Sequence, residues 1–211
     1  MSGSKRTMRT GGMRKAGGSR KFNLKMILLG DGGVGKTSLV QQFCMSSFDT
    51  DYKMTVGVNV MSKVITLNDE NETAVLSISD VAGQPRFEVM RQTFYLGAQI
   101  IFAVFDLTRE QSLENLENEW MPELMEANPP RPGLPPAQVL LVGNKCDLED
   151  LRVIDDDMIG ETERNLREKF PQVETIGYME TSAKDNIGVT EGFTRLASHY
   201  VKKLKEMYPD K

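Results

Sequence analysis

Histidine, cysteine and tryptophan are scarce in this chain of 211 residues, which has one histidine, two cysteines and one tryptophan. Cys44 and Cys146 fall in a predicted helix and a predicted loop, so we expect no structural disulfide and a reducing, cytoplasmic compartment. His199 lies on a predicted surface helix, where a solvated side chain without a chemical role is expected. No apolar run approaches the roughly 18 residues that a membrane span requires, and no apolar segment follows Met1 as in a signal peptide.

Acidic residues are absent from residues 1–21, although this segment holds seven of the chain's 26 basic residues. The remainder carries 19 basic residues against 30 acidic ones. Because the segment is also rich in glycine, we predict a disordered tail. It could contact an anionic membrane weakly, at ~1 kcal/mol per basic residue, or RNA or an acidic partner, but a solvated extension is the simpler interpretation. Residues 22–207 are predicted to form one domain, followed by a short end at 208–211.

A glycine-rich loop follows the first apolar segment of the domain. Residues 30–37 read GDGGVGKT and fit the pattern G-x-x-x-x-G-K-[ST], between a predicted strand and a predicted helix. The loop amides and the positive helix N-terminus form an anion site. Lys36 would reach the β- and γ-phosphates, and the Thr37 hydroxyl would bind Mg²⁺. The loop therefore predicts a nucleoside triphosphate site with contacts from Asp31, Gly32, Gly33, Val34, Gly35, Lys36, Thr37 and Ser38.

A second segment, Asn144-Lys145-Cys146-Asp147, follows another short apolar strand, at the strand end where open α/β sheets bind ligands. Guanine presents two neighbouring donors, its N1–H and its 2-amino group, and the Asp147 carboxylate can accept from both. Adenine would leave that carboxylate unpaired, which costs several kcal/mol by order of magnitude. Asn144 can brace the loop and contact the ring edge, and Lys145 can lay its aliphatic stem over the ring. The two segments together predict GTP or GDP as the ligand.

Apolar strands alternate with amphipathic helices along the domain. This alternation predicts an α/β fold, a three-layer sandwich of the P-loop NTPase type with a six-stranded, mostly parallel sheet between helices. The predicted strands are residues 23–29, 58–67, 73–79, 99–105, 139–143 and 175–180. The five predicted helices are residues 35–47, 86–96, 112–127, 155–170 and 188–207.

The order of these motifs resembles that of Ras-superfamily small GTPases, from about residue 22 to about residue 200. Beside the two segments above, the resemblance rests on Thr55, on Asp80-Val81-Ala82-Gly83-Gln84 and on Thr181-Ser182-Ala183-Lys184. Each of these alone would also fit an ordinary turn, cap or core residue. Within the superfamily the chain resembles the Rab branch most, at residues 56–58, 86–87, 94–99 and 179–187.

The resemblance implies roles for residues around the phosphates. Thr55 would join the Mg²⁺ ligands when a γ-phosphate is present, and Asp80 would hold the ion indirectly. The Gly83 amide would bond the γ-phosphate, and Gln84 would orient the attacking water. The predicted catalytic residues are thus Gln84, Lys36 and Thr55, and the predicted metal ligands are Thr37, Thr55 and Asp80.

The resemblance also implies contacts to the base and to other proteins. Phe48 would lie edge-on against the guanine face, Ser182 and the Ala183 amide would support Asp147 and read the guanine oxygen, and Lys184 completes that motif. A GTP-hydrolysing switch of this family, in intracellular signalling or vesicle trafficking, implies effector, exchange-factor and GTPase-activating proteins as partners. We expect a monomer that does not bind DNA.

No arginine is assigned to the site from the sequence, so slow intrinsic hydrolysis is expected, accelerated by a partner's arginine. Pro85 departs from the family pattern, which has glutamate after the catalytic glutamine. Proline lacks an N–H and pushes Gln84 toward extended geometry, which could weaken hydrolysis or stiffen the segment. The chain as given also ends without the cysteines that Rab proteins prenylate. Either the membrane cycle is absent, or the basic tail replaces it, or the sequence is shortened.

Two other functions fit parts of the sequence. A nucleotide-gated binding module that barely hydrolyses GTP would agree with Pro85. A P-loop kinase or another ATP-dependent enzyme would agree with the first segment alone, but residues 144–147 argue against it.

Overall fold

The computed structural model of the chain describes residues 20–46, 57–67, 72–83 and 87–209. These residues form one six-stranded sheet in the order β2-β3-β1-β4-β5-β6. Among the described strands every neighbouring pair is parallel except β2 and β3. The strands are β1 (Arg20–Leu29), β2 (Val58–Thr66), β3 (Glu72–Val81), β4 (Ile100–Asp106), β5 (Ala137–Asn144) and β6 (Val173–Thr181).

The described helices cover both faces of the sheet, and their number agrees with the prediction once one interruption is recognised. A π turn at Leu116–Trp120 joins α3 to α4 without a break, so these elements form one helical segment of five. The predicted α/β architecture is therefore confirmed. The helices are α1 (Lys36–Met45), α2 (Glu88–Tyr95), α3 (Glu110–Asn115), α4 (Met121–Ala127), α5 (Asp156–Lys169) and α6 (Val189–Met207).

Strand β1 begins earlier than its apolar residues indicate. Arg20 and Lys21 pair with Glu72 and Thr73 of β3, although both basic side chains are exposed. Backbone pairing with β3 extends the strand beyond the apolar residues from which it was predicted. Arg20 and Lys21 are therefore strand residues and not part of a tail, whereas residues 1–19 lie outside the described part of the chain.

Helices on both faces bury almost all residues of strands β4 and β5. All seven residues of β4 are buried, as are seven of the eight in β5, as expected for parallel strands covered on both sides. On one face α1 meets α6, where the rings of Phe43 and Phe193 stack with their centroids 3.9 Å apart. On the other face Tyr95, Trp120 and Leu166 belong to a second apolar cluster. Among the described helices, none combines the length and apolar character of a membrane span.

The carboxyl ends of the parallel strands bring polar residues to a single edge of the sheet. Leu28 pairs with Asp80, while Asp106 pairs with Asn144 and Asn144 with Thr181. Neighbouring strands lie about 4.8 Å apart, so such partners are close in space despite their separation in sequence. This edge is where the two predicted ligand-binding segments meet.

Candidate guanine nucleotide site

Two glycines fix the path of the loop between β1 and α1. Gly30 has φ 131° and Gly35 has φ 98°, a region that residues with a Cβ rarely adopt. A Cβ on Gly30 would lie 2.0 Å from the Val104 carbonyl oxygen of β4. A Cβ on Gly35 would lie 2.1 Å from Nδ2 of Asn144. The loop therefore packs directly against the central strand and against the predicted base-reading segment.

Lys36, the first residue of α1, is 6% exposed and points back over this loop. Its Nζ donates to the carbonyl oxygens of Gly30 at 2.5 Å and Asp31 at 2.8 Å. Burial lowers the pKa of Lys36 to about 8, although the charges of Asp80 and Asp31 oppose this effect. A buried ammonium held on the rim of a glycine loop is suited to a multiply charged phosphate chain.

The side chain of Asp31 anchors the loop to the neighbouring helical segment. Its carboxylate accepts from Nε1 of Trp120 at 2.8 Å and from Nδ2 of Asn115, 3.2 Å from Oδ1 and 3.0 Å from Oδ2. These two donors satisfy both carboxylate oxygens. Because the carboxylate faces the helical segment, the predicted nucleotide contact of Asp31 would come from its backbone.

The π turn explains why Asn115 and Trp120 both reach Asp31. Residues five apart on an α-helix point about 140° away from each other, since each residue turns the helix by about 100°. The wider i→i+5 turn of Leu116–Trp120 brings such residues onto the same face. The irregular turn thus places two donors on one carboxylate of the phosphate loop.

Asp80, near the end of β3, is suited to a cation site. It is 1% exposed, and apart from the nearby Thr37 hydroxyl no described residue offers either carboxylate oxygen a hydrogen bond. Burial raises the pKa of Asp80, while the nearby Thr37 hydroxyl and Lys36 ammonium oppose this effect. A buried carboxylate without a partner is costly unless a positive charge or an ordered water satisfies it. The pair of Asp80 and Thr37 therefore fits the predicted Mg²⁺ site.

Gly83 lies against the phosphate loop, as its predicted contact with the γ-phosphate requires. A Cβ at this position would be 2.7 Å from the Gly30 carbonyl oxygen and 2.9 Å from the Gly32 nitrogen. A larger residue would push the two backbones apart. The segment after β3 can therefore approach the phosphate loop closely only because residue 83 is glycine.

Asn144 joins three segments at the end of β5. Its Nδ2 donates to the Val34 carbonyl oxygen at 2.8 Å, inside the phosphate loop. Its Oδ1 accepts from the Thr181 hydroxyl at 3.1 Å and from the Ala183 amide at 3.3 Å. One buried amide side chain therefore sets the position of the predicted base-reading segments relative to the phosphate loop. The predicted bracing role of Asn144 agrees with these contacts.

Asp147 is positioned by the segment that follows β6. The Ser182 hydroxyl donates to Oδ1 of Asp147 at 2.6 Å, and Nζ of Lys184 lies 3.8 Å from Oδ2. The carboxylate of Asp147 is 8% exposed. These contacts hold the carboxylate in one orientation, as recognition of two adjacent donors on a ring requires.

Lys145 has a partner that the sequence did not indicate. Its Nζ donates to Oδ2 of Asp106 at 2.5 Å, and its own backbone has φ 69°. Asp106 is buried at the end of β4, in register with Asn144. Since the ion pair fixes the ammonium end of Lys145, the aliphatic stem is held along the edge where the base is predicted to lie.

Arg109 was missed by sequence reasoning, and it corrects the expectation that no arginine belongs to the site. Its Nη2 donates to the Gly32 carbonyl oxygen at 3.1 Å and lies 3.5 Å from Oδ2 of Asp31. Arg109 follows β4, whose carboxyl end lies between those of β1 and β5. The position of Arg109 directly after a strand was the signal available in the sequence. Its proximity to the phosphate loop follows only from the strand order of the folded sheet.

Comparison with known proteins decides the family of this chain. A sequence model of the Ras family matches residues 25–202. The chain belongs to the Ras family. It is 36% identical over 173 residues to Ras-related protein Rab-13 of Rattus norvegicus, covering 82% of this chain and 77% of that protein. It is 38% identical over 189 residues to GTP-binding protein YPTC5 of Chlamydomonas reinhardtii (87% and 84%), and 37% identical over 190 residues to Ras-related protein Rab7 of Pisum sativum (89% and 86%).

Membership of the Ras family confirms the resemblance inferred from the motifs. The chain is a Rab-like small GTPase, an enzyme that binds guanine nucleotides and hydrolyses GTP. Three predicted site residues of this Ras-family GTPase, Phe48, Thr55 and Gln84, lie outside the described residues. Their roles stay predictions, as does the effect of Pro85.

Proposed function

We propose that this GTPase works as a molecular switch and holds GTP or GDP along the carboxyl edge of the sheet. The phosphates lie on the amides of residues 31–38, beside Lys36, and the guanine ring lies at Asp147. The observation that carries the proposal is the Asn144 side chain, which ties both sites together through Val34 and Ala183. A shared brace keeps the two sites at a constant separation, as recognition of one rigid ligand requires.

The proposal includes a magnesium ion held by Thr37, Thr55 and Asp80. The described residues contain no cluster of three or more His, Cys, Asp or Glu side chains suited to a metal. Mg²⁺ commonly takes one or two protein ligands and completes its shell with phosphate and water, so Thr37 at the start of α1 and Asp80 on β3 are sufficient among the described residues. When bound, the ion would neutralise charge on the phosphate oxygens.

Hydrolysis in this proposal depends on positioning by the protein. Gln84 orients the attacking water, the Gly83 amide holds the γ-phosphate, and Lys36 stabilises charge on the β–γ bridge. Thr55 and Gly83 contact the γ-phosphate only while GTP is bound. The segments that carry them are ordered by GTP and released after hydrolysis, so that partner proteins distinguish the two states.

The Rab names of the relatives extend the proposal to cellular context. We infer a role in vesicle trafficking, with effector, exchange-factor and GTPase-activating proteins as partners of a monomeric GTPase. The five basic residues of residues 1–19 would add a weak contact with anionic membranes. Phe48, Ser182, Ala183 and Lys184 complete the proposed base site.

The decisive experiment follows bound nucleotide and released phosphate after incubation of the purified chain with Mg²⁺ and either GTP or ATP. We expect retention of GTP and GDP over ATP by at least roughly 100-fold, because adenine leaves the Asp147 carboxylate unpaired. Slow phosphate release from GTP supports the switch. Retention of GTP without release would instead favour the nucleotide-gated binding module, and preference for ATP would contradict the proposal.

Replacing Pro85 with glutamate tests the proposed weakness of intrinsic hydrolysis. We expect single-turnover hydrolysis of GTP by Pro85→Glu to be faster by up to about tenfold, because a freer Gln84 positions the water better. GDP affinity should not change. Pro132→Glu, which alters an exposed proline in the loop before β5, is the matched control. An unchanged rate for Pro85→Glu would end this hypothesis.

A further inference from the structure

Arg109 is a cation at the phosphate loop that the proposed mechanism does not use. It precedes α3, and its guanidinium reaches across to the loop between β1 and α1, where Nη2 lies 3.1 Å from the Gly32 carbonyl oxygen. Lys36 donates hydrogen bonds to the carbonyl oxygens of Gly30 and Asp31, the two residues that precede Gly32. The two cations thus bind three successive carbonyl oxygens of the same loop. Arg109 also lowers the pKa of Lys36, consistent with their proximity.

Within the described part of the chain, the space beside Gly32 is open. Among the residues that the structure describes, none has a heavy atom within 4 Å of a Cβ added to Gly32, in contrast to Gly30 and Gly35, which are in close contact with their neighbours. The guanidinium therefore borders open space beside the part of the loop that carries the phosphates in the proposed function. Its side chain is 43% exposed, so it can turn toward a ligand without breaking a buried contact.

Arg109 is not needed as the partner of Asp31. The Asp31 carboxylate already accepts from Trp120 and Asn115 at 2.8 to 3.2 Å, whereas the closest approach of Arg109 is 3.5 Å. A guanidinium has five N–H donors in a rigid fork suited to phosphate oxygens. Within the described part of the chain, the contact with Gly32 uses one of these donors, which leaves others for a ligand.

We propose that Arg109 is a catalytic arginine supplied by this chain itself, which contacts the γ-phosphate of bound GTP beside Gly32. In hydrolysis the water oxygen bonds the γ-phosphorus as the bond from that phosphorus to the β–γ bridging oxygen breaks. The electron pair passes to the bridging oxygen, which stays with GDP, and the water proton ends on the released phosphate. Arg109 stabilises the charge that grows on the bridging and γ-oxygens. This inference rests on the proposed placement of the phosphates.

The experiment compares Arg109→Ala and Arg109→Lys with the unmodified chain in single-turnover hydrolysis of GTP without any partner protein. We expect Arg109→Ala to be slower by roughly 10- to 100-fold, and Arg109→Lys to be intermediate, because lysine keeps the charge but not the fork. The matched control is Arg131→Ala. Arg131 is an exposed loop arginine that donates to the Gly97 carbonyl oxygen at 2.9 Å, ahead of the amino end of β4.

A second measurement separates catalysis from folding and from ground-state binding. Aluminium fluoride is titrated onto the GDP-bound protein, where it imitates the transferring phosphoryl group, and Trp120, the single tryptophan, provides the fluorescence signal. We expect Arg109→Ala to lose affinity for aluminium fluoride at least tenfold while its GDP affinity stays within about twofold. The proposal would be overturned if Arg109→Ala lost GDP affinity and aluminium fluoride affinity equally. It would also be overturned if the hydrolysis rate or the aluminium fluoride affinity of Arg109→Ala were unchanged. Failure of the unmodified chain to bind GDP would instead contradict the proposed function.

Discussion

Asp147→Asn will lose affinity for GTP and GDP by at least roughly 100-fold and gain affinity for xanthosine nucleotides. The carboxylate accepts from two adjacent ring donors in the proposed site, and an asparagine can accept only one of them while its amide group opposes the other. Loss of one hydrogen bond of such a pair, with a donor left facing another donor, costs about 2–3 kcal/mol or more. Xanthine carries an acceptor where guanine carries its 2-amino donor, so the asparagine matches xanthine instead.

The structure indicates that Asp147→Asn will still fold. The asparagine carbonyl oxygen can take the place of Oδ1, which accepts from the Ser182 hydroxyl at 2.6 Å. Displacement of a fluorescent GDP by GTP and by XTP measures both affinities. Asp150→Asn makes the same change at an exposed position in the short helical turn Glu149–Leu151 and should leave both affinities unaltered. Unchanged preference for GTP in Asp147→Asn would show that the base lies elsewhere.

Lys36→Met will abolish tight binding of guanine nucleotides without unfolding the protein. The ammonium is the buried cation of the phosphate loop, and charged hydrogen bonds to phosphate contribute about 1.5–3 kcal/mol each. We therefore expect the Kd for GDP to rise at least roughly 100-fold. Methionine has a similar length and carries no charge into the interior, where an isolated charge is costly.

The free energy of unfolding of Lys36→Met, measured by denaturant in the absence of nucleotide, should be unchanged or higher by up to about 2 kcal/mol. The loss of donors to Gly30 and Asp31 partly offsets the removal of the buried charge. Lys25→Met is the matched control on β1, because its Nζ also donates to a carbonyl oxygen, that of Leu96 at 2.8 Å. Lys25 precedes Gly30 on the chain by about 17 Å of extended strand. Wild-type GDP affinity in Lys36→Met would contradict the proposed phosphate site.

The strands and helices were predictable because their signals are local. The runs that became β4 and β5 are apolar and short, as buried parallel strands require. The helix boundaries differed from the prediction by one or two residues at most ends, where backbone capping rather than side-chain pattern sets the limit. Arg20 and Lys21 were misassigned because their side chains are exposed while their backbone groups pair with β3.

The π turn could not be predicted from the sequence around it. Residues 110–127 show one apolar helical pattern, and nothing local distinguishes an α-helix from one with a wider turn. The wider turn becomes favourable because it lets Asn115 and Trp120 bond the same carboxylate, that of Asp31. The stabilising partner, Asp31, lies 84 and 89 positions earlier in the chain.

The sequence by itself determined the ligand class, because a glycine loop followed by lysine, and an Asn-Lys-x-Asp segment, each carry their chemistry within a few consecutive residues. Only the tertiary structure decided how those segments are joined and which other side chains reach them. Arg109 and Gly32 are 77 positions apart, and Trp120 and Asp31 are 89 apart. Such contacts arise because the strand order places the end of β4 between β1 and β5, and this arrangement is set by the packing of the whole sheet.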